Sequence, residues 1–266
     1  MTEEKFNYFH TFGFVVYKQM LTPDETESIS DAFDASMLNA RGGEDFGLTQ
    51  DESGNSKRRQ QINFHISPKI AFFDYAPDVF YPLLDDERFV DVFRALLGDD
   101  YIMAVSEGII HAGGTGWHHD NVAEGDFFTM RAHLYLDKLG PEDGCLSVIP
   151  GSHFAPYREA LTQDNGMGVR ASGRMGVKPG QMPGRYDLIN EPGDVVFLNH
   201  KTHHSALSGR AERRCVHMNA GKSAHTHDRD EQLAALDRHL LSPYEEVRLT
   251  AAAAKARITP AEEAAA

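Results

Sequence analysis

A mainly β fold with flanking helices, a sandwich or a barrel, is the class this sequence predicts, and three observations predict it. From Tyr101 onward the chain reads as short apolar runs, YIMAVSEGIIH, RAHLYLDKL, CLSVIPGSH, DVVFLNH and RRCVHMNA. Gly, Pro and Asp cut these runs apart, and short runs between turn residues are the mark of sandwich or barrel strands. Helical spacing of apolar residues is left to the N-terminal part and to a stretch near the C-terminus.

Taken in order, Phe9 to Tyr17 (FHTFGFVVY) is aromatic and β-branched, as a short strand should be. Thr22 then caps a helix with Pro23 at its first position, running to about Met37. Residues 41–58 are polar and glycine-rich and form a long loop before an apolar segment at Ile62–Phe64. FVDVFRALL, from Phe89 to Leu97, repeats at helical spacing and stops at Gly98. Residues 154–187 hold Gly166, Gly168, Gly173, Gly176, Gly180 and Gly184 with little apolar periodicity, so they are read as an unstructured insert acting as a lid. After Asp228 a helical start, EQLAALDRHLL, gives way to AAAAKARITPAEEAAA, whose last residues should fray. The expectation is one domain over 1–266, with an insert at 154–187 and a helical tail at 228–266.

At 266 residues and 41% hydrophobic, the chain can bury a sizeable core. Forty acidic against 26 basic residues, a net charge of -14, argue against a general nucleic-acid binder, which needs a basic surface. Cys145 and Cys215 are too few for a disulfide framework and are expected to be free thiols. The N-terminus lacks the apolar run of a secretory signal, and no stretch reaches the length of a membrane span. A cytoplasmic protein with a small-molecule partner is the expectation; oligomeric state is left open.

The 14 histidines bunch, at His118–His119, at His200, His203 and His204, and at His225 and His227, which directs attention to metal ligation. In an extended Trp117-His118-His119-Asp120-Asn121, His118 and Asp120 project to one face and His119 to the other. A third ligand is best sought in His200-Lys-Thr-His203-His204, just past the apolar run DVVFLN. Two histidines and one carboxylate, with the remaining positions open, form the facial triad of iron(II) oxygenases. Nine residues past His204, Arg213 and Arg214 open another apolar run, and either can clamp a carboxylate bidentately. The plain alternative for an Arg-Arg pair is a solvated strand end.

Four blocks, in order, resemble the phytanoyl-CoA dioxygenase family. They are FHTFGFVVYKQMLTPDE, WHHDN at 117–121, DGCLSVIPGSH at 143–153, and PGDVVF at 192–197 continuing through His204-Ser205 to Arg213-Arg214. The resemblance implies a double-stranded β-helix, a cupin-like jelly roll with helices packed outside. It implies Fe(II) held by His118, Asp120 and His204, with no catalytic residues beyond these ligands. It also implies 2-oxoglutarate as co-substrate, its far carboxylate on Arg213 with Arg214 as the alternative, and O2 as oxidant. Related halogenases carry a small residue in place of the carboxylate ligand; the presence of Asp120 implies a hydroxylase, or an enzyme of another oxidation that begins with the same hydrogen abstraction, releasing succinate and CO2. Glu212 stands where the family has proline, and His200 and His203 compete with His204 as distal ligand. In PGSH the resemblance gives Ser152 and His153 a turn, not chemistry.

Substrate or outer-sphere contacts are expected from Asn121 beside the ligand strand and from Arg131 and His133 on one face of MRAHLYL. Arg59, Gln61 and Asn63, which combine charge and amides next to an apolar run, join them. The insert is locally basic, with Arg158, Arg170, Arg174, Lys178 and Arg185, which would draw in a small anionic substrate; the plain alternative is a solvated loop with incidental charges. Two other functions use the same residues: a zinc-dependent hydrolase or isomerase, which has no need of Arg213, and a non-catalytic jelly-roll binding protein, which the intact His118, Asp120 and His204 set opposes.

Overall fold

The computed structural model describes residues 1–39, 76–103, 106–111, 114–120, 128–162, 171–207 and 213–222. Helix α1 (Glu3–Phe12) begins at Thr2, whose hydroxyl accepts the Lys5 N–H, and Glu3 and Glu4 in its first turn suit the positive end of the helix dipole. It ends at Gly13, φ +83°, where the N–H donates to the Phe9 carbonyl. Phe9 to Phe12, read as strand from their aromatic character, are therefore the last turn of a helix, and strand β1 (Phe14–Tyr17) starts only after the glycine. Helix signals upstream of the aromatic run outweigh its β propensity.

Helix α2 (Pro23–Asn39) starts as expected, through a reciprocal cap: the Thr22 hydroxyl accepts from the Glu25 N–H, and the Glu25 carboxylate accepts from the Thr22 N–H at 2.7 Å. Helices α3 (Pro77–Asp85) and α4 (Glu87–Leu97) follow. The first was not anticipated, because Pro82 lies inside it and proline ordinarily breaks a helix. The loop expected at 41–58, the segment Ile62–Phe64 and the tail 228–266 lie outside the described residues.

The remaining strands are β2 (Ile102–Met103), β3 (Glu107–His111), β4 (Thr129–Tyr135), β5 (Leu146–Val148), β6 (Tyr186–Leu188), β7 (Val195–Asn199), β8 (His204–Ala206) and β9 (Arg213–Gly221). They form two antiparallel sheets. A six-stranded one runs β1-β7-β4-β9-β2 with β3 also on β9, and a three-stranded one runs β6-β5-β8. The segment 114–120 extends the smaller sheet, bridging at His118 to His204. This is the expected mainly β jelly roll with helices outside.

Alternation along the large sheet decides what each face meets. Met130, Ala132 and Leu134 of β4, Val195 and Phe197 of β7, and Val216, Met218 and Ala220 of β9 join one core with Phe33, Phe80, Phe89 and Phe93 of the helices. Their neighbours in sequence, Arg131, His133 and Tyr135 of β4 and Arg213, Cys215 and His217 of β9, line a cavity between the sheets instead. At the helical side Phe197 is fully buried, edge-on to Tyr17 and Phe93 at ring separations of 5.6 and 5.5 Å.

Two turns support the site. Gly13 carries the Thr202 hydroxyl on its carbonyl at 3.1 Å, and a Cβ at this φ would collide with Thr202 and His153. Gly193, φ +88°, would likewise drive a Cβ to 2.8 Å from Thr26 and 2.9 Å from the Leu21 carbonyl. Beside it the Asp194 carboxylate accepts from the N–H groups of Gln19 and Glu191 and from Lys18, each at 2.7–2.8 Å.

The described part of the insert, 154–162 and 171–187, is not unstructured. It folds as α5 (Ala155–Thr162), α6 (Ala171–Arg174), a 3-10 turn at Pro179–Gln181 and the start of β6. Leu161 and Met182 pack on Trp117 and Ile149, and the Trp117 indole donates to the Pro179 carbonyl at 2.8 Å. So few apolar anchors, so widely spaced, leave no period for a sequence reading to find. Among the described residues no helix is long and apolar enough to cross a membrane.

Truncation of Phe197 to alanine removes the ring on which α4 and β1 converge. It should destabilise the fold by about 3–5 kcal/mol, read as a lowered midpoint in urea denaturation with unchanged slope. Desolvation pushes the Asp194 carboxyl up, but the N–H donors of Glu191 and Gln19 and the Lys18 ammonium outweigh it and hold it below its ordinary value. A depressed folded pKa stabilises at pH above the unfolded value, about 3.9, and the contribution is lost as pH falls through the folded value. Asp194→Asn should therefore flatten the acid limb of stability against pH; an identical limb would contradict this.

Candidate metal centre

Three side chains meet at the open end of the cavity. Ligand atoms of His118, Asp120 and His204 lie within 4.8 Å of one another, with His204 buried and His118 exposed. Backbone bonds set this up: His118 and His204 exchange N–H donors at 3.1 and 2.7 Å, and the Asp120 N–H donates to the His200 carbonyl. His118 and Asp120 thus share a face, as the spacing requires.

The ring orientations are fixed by carbonyls. His118 Nδ1 is 2.6 Å from the Gly116 carbonyl and His204 Nδ1 is 2.9 Å from the Thr202 carbonyl. A carbonyl only accepts, so each Nδ1 carries the proton and each Nε2 keeps its lone pair for a metal. Asp120 Oδ1 lies 3.8 Å from His204 Nε2, and its Oδ2, buried without a hydrogen-bond partner, has Arg131 Nη1 at 3.6 Å.

Electrostatics match that arrangement. Burial would push the Asp120 carboxyl up, but Arg131 and the imidazoles of His204, His200 and His118 hold it well below the carboxylate range. Burial pushes His204 down to about 4, against the opposing pull of Asp120. At neutral pH the donors are an anionic carboxylate and a neutral imidazole, the forms that bind a metal. An ionised carboxylate whose Oδ1 faces His204 Nε2, with imidazoles aimed by carbonyls, fits a divalent cation.

His200 competes less well. Its Nε2 is 3.9 Å from Asp120 Oδ2, and it is not one of the three residues whose ligand atoms all lie within 4.8 Å of one another. His203 belongs to the other face, its ring against His119 at 5.2 Å and its N–H on the Ser152 hydroxyl at 2.8 Å. Ser152 thereby anchors the residue before His204, and His153 Nε2 donates to the His10 carbonyl, so the PGSH turn is structural.

The two arginines part company. Arg213 is buried, its guanidinium donating to the Gly144 carbonyl inside the cavity. Arg214 also borders the cavity, but it sends its guanidinium to Asp137 at 3.0 Å, Asp34 at 2.8 Å and the Ser30 hydroxyl at 2.7 Å. Arg131 and His133 both line the cavity, and Arg131 also donates to Asn219 at 2.6 Å. Asn121, Arg59, Gln61 and Asn63 lie outside the described residues.

The cavity measures about 220 Å³. Glu107, His111, Tyr135, Cys215 and His217 also line it and were not singled out in the sequence. A signal existed: Arg213, Cys215, His217 and Asn219 are alternate residues of one strand, a polar file opposite an apolar one. Of the insert's cations, Arg158 donates to the His153 carbonyl and Arg185 pairs with Asp187 at 2.7 Å, so both serve the insert's own structure. Arg170 and the Arg174 side chain lie outside the description.

Comparison with known proteins agrees with this architecture. The fold is similar to that of HygX from Streptomyces hygroscopicus, solved with nickel and 2-oxoglutarate bound: TM-score 0.61, 20% identity, 85% of this chain and 89% of that one covered. It is similar to SnoK, a non-heme alpha-ketoglutarate-dependent carbocyclase from nogalamycin biosynthesis, with TM-score 0.60, 20% identity and 84% of each chain covered. AviO1 from Streptomyces viridochromogenes Tue57 aligns at TM-score 0.56 and 17% identity, over 85% of this chain and 96% of that one. Curated protein sequences give no match. The family model described as phytanoyl-CoA dioxygenase matches residues 9–215, most of the chain and all four sequence blocks. The chain belongs to the phytanoyl-CoA dioxygenase family.

Proposed function

We propose that this chain is an Fe(II)- and 2-oxoglutarate-dependent dioxygenase that hydroxylates a small organic substrate. The observation that carries the reading is the convergence of His118, Asp120 and His204 at one end of the cavity that Arg213 also lines. When bound, ferrous iron with 2-oxoglutarate and O2 supplies the oxidising chemistry and releases succinate and CO2.

Each residue then has a physical task. His118 and His204 offer Nε2, held in that tautomer by the Gly116 and Thr202 carbonyls, and Asp120 supplies the anionic oxygen. Arg131 orients the aspartate through its free oxygen. Arg213 receives the far carboxylate of the keto acid as a buried cation, with Gly144 steadying its guanidinium. Arg214, tied to Asp137 and Asp34, holds β9 to α2 and leaves the clamp to its neighbour. The insert packs over Trp117 as a lid that excludes water from the site. On this reading residues 1–266 form one cytoplasmic domain with the tail 228–266 appended.

Anaerobic Fe(II) with 2-oxoglutarate should give the weak visible charge-transfer band of the chelate, and Asp120→Ala or His204→Ala should abolish it. Retention of the band in both variants would defeat the assignment. Removing a buried clamp of this kind costs about 2–5 kcal/mol, so Arg213→Ala should weaken 2-oxoglutarate binding by about thirty-fold or more in calorimetry. Arg214→Ala should bind 2-oxoglutarate nearly as the parent does; the reverse ranking would move the clamp to Arg214.

A further inference from the structure

The alternation that lines the cavity also assembles a second group of donors there. In the β4–β9 register His133 stands opposite His217, and in the β3–β9 register Glu107 stands opposite His217. Cys215 lies two residues along β9 on the same face. The side chains meet: His133 Nδ1 and His217 Nε2 are 3.1 Å apart, and Glu107 Oε1 is 3.5 Å from His217 Nδ1. Donor atoms of His133, Cys215 and His217 all lie within 4.8 Å of one another, and all three residues are at most 5% exposed. None of them belongs to the His118, Asp120 and His204 group.

We propose that His133, Cys215 and His217 form a second cation site, for a thiophilic ion of the zinc(II) class, in the floor of the cavity. Two imidazoles and a thiolate are a donor set that favours zinc over hard, oxygen-seeking cations. The spacing fits: two nitrogens each about 2.0 Å from a tetrahedral zinc stand about 3.3 Å apart, close to the observed His133–His217 separation. Glu107 lies on the far side of His217, its Oε1 3.5 Å from Nδ1, and its negative charge favours the proton on Nδ1 and the lone pair on Nε2. Three protein donors facing a cavity leave a fourth position for water or a small ligand.

Burial holds both imidazoles well below their ordinary range, hence neutral with a lone pair each, and raises the Cys215 thiol. Binding therefore breaks the Cys215 S–H bond as the sulfur–metal bond forms, and the proton leaves to solvent, while the proton on His133 Nδ1 moves to the unpartnered Nε2 of the same ring; each ion taken up should release one proton net. The thiol gives up only a weak 3.7 Å contact to the Val216 carbonyl. The competing arrangement is a hydrogen-bonded His133–His217 pair beside Glu107 with no cation affinity.

Anaerobic titration of the metal-free full-length chain with Co(II), a spectroscopic stand-in for zinc, separates the two. The wild type should bind two equivalents, one with a near-ultraviolet thiolate-to-cobalt charge-transfer band that Zn(II) bleaches. Cys215→Ser and His133→Gln, made in parallel so that misfolding of one leaves the other, should each lose that band and one equivalent. His204→Ala and Cys145→Ser should keep the band. Binding of a single equivalent without a thiolate band, or a band lost with Cys145 and not Cys215, would overturn the proposal. The readout is independent of the iron site: a thiolate band without any loss of cobalt in His204→Ala supports this site while counting against the facial triad.

Discussion

The register of β9 against β4 is the constraint on which the rest of the structure depends. One face of these strands meets the helices with Met130, Ala132, Leu134, Val216, Met218 and Ala220, and the other meets the cavity with Arg131, His133, Cys215 and His217. A slip of β9 by one residue would drive its file of Arg213, Cys215 and His217 into the apolar core and turn Val216, Met218 and Ala220 toward the site. Burying even one unpaired charge costs several kcal/mol, so the core that stabilises the fold also fixes which side chains face the chemistry.

A second coupling runs from the N-terminus to the distal histidine. Gly13 accepts from the backbone of Asn199 and from the Thr202 hydroxyl, and the Gly151 N–H donates to Phe12. Ser152 holds His203, and Thr202 supplies the carbonyl that sets the tautomer of His204. Helix α1, the PGSH turn and the turn before β8 therefore form one hydrogen-bonded unit around the residue that must be placed most accurately. Rigid placement of this kind suits the coordination site proposed for His204.

Much of this was readable in the chain. His118 and Asp120 could be assigned to one face because strand periodicity is geometric, and the apolar runs after Tyr101 mark most of the large sheet. What escaped depends on contacts distant in sequence. The tautomers of His118 and His204 depend on carbonyls, Arg213 and Arg214 are separated by where Asp34 and Asp137 lie, and the insert is ordered by Trp117. Strands β6 and β8, three residues each, are too short to show a period. Helix α3 was hidden by Pro82, and the last turn of α1 by its aromatic residues. The polar file Arg213, Cys215, His217 was visible as alternation, yet only the register with His133 and Glu107 gives it meaning.

The central claim is that two Nε2 atoms and one carboxylate oxygen converge on one ion beside a buried arginine. A crystal structure grown anaerobically with ferrous iron and 2-oxoglutarate tests it most directly. The expected result is iron bonded to His118 Nε2, His204 Nε2 and one Asp120 oxygen, with the keto acid chelating it and reaching Arg213. Iron bonded to His200 in place of His204, or a keto acid directed away from Arg213, would contradict it.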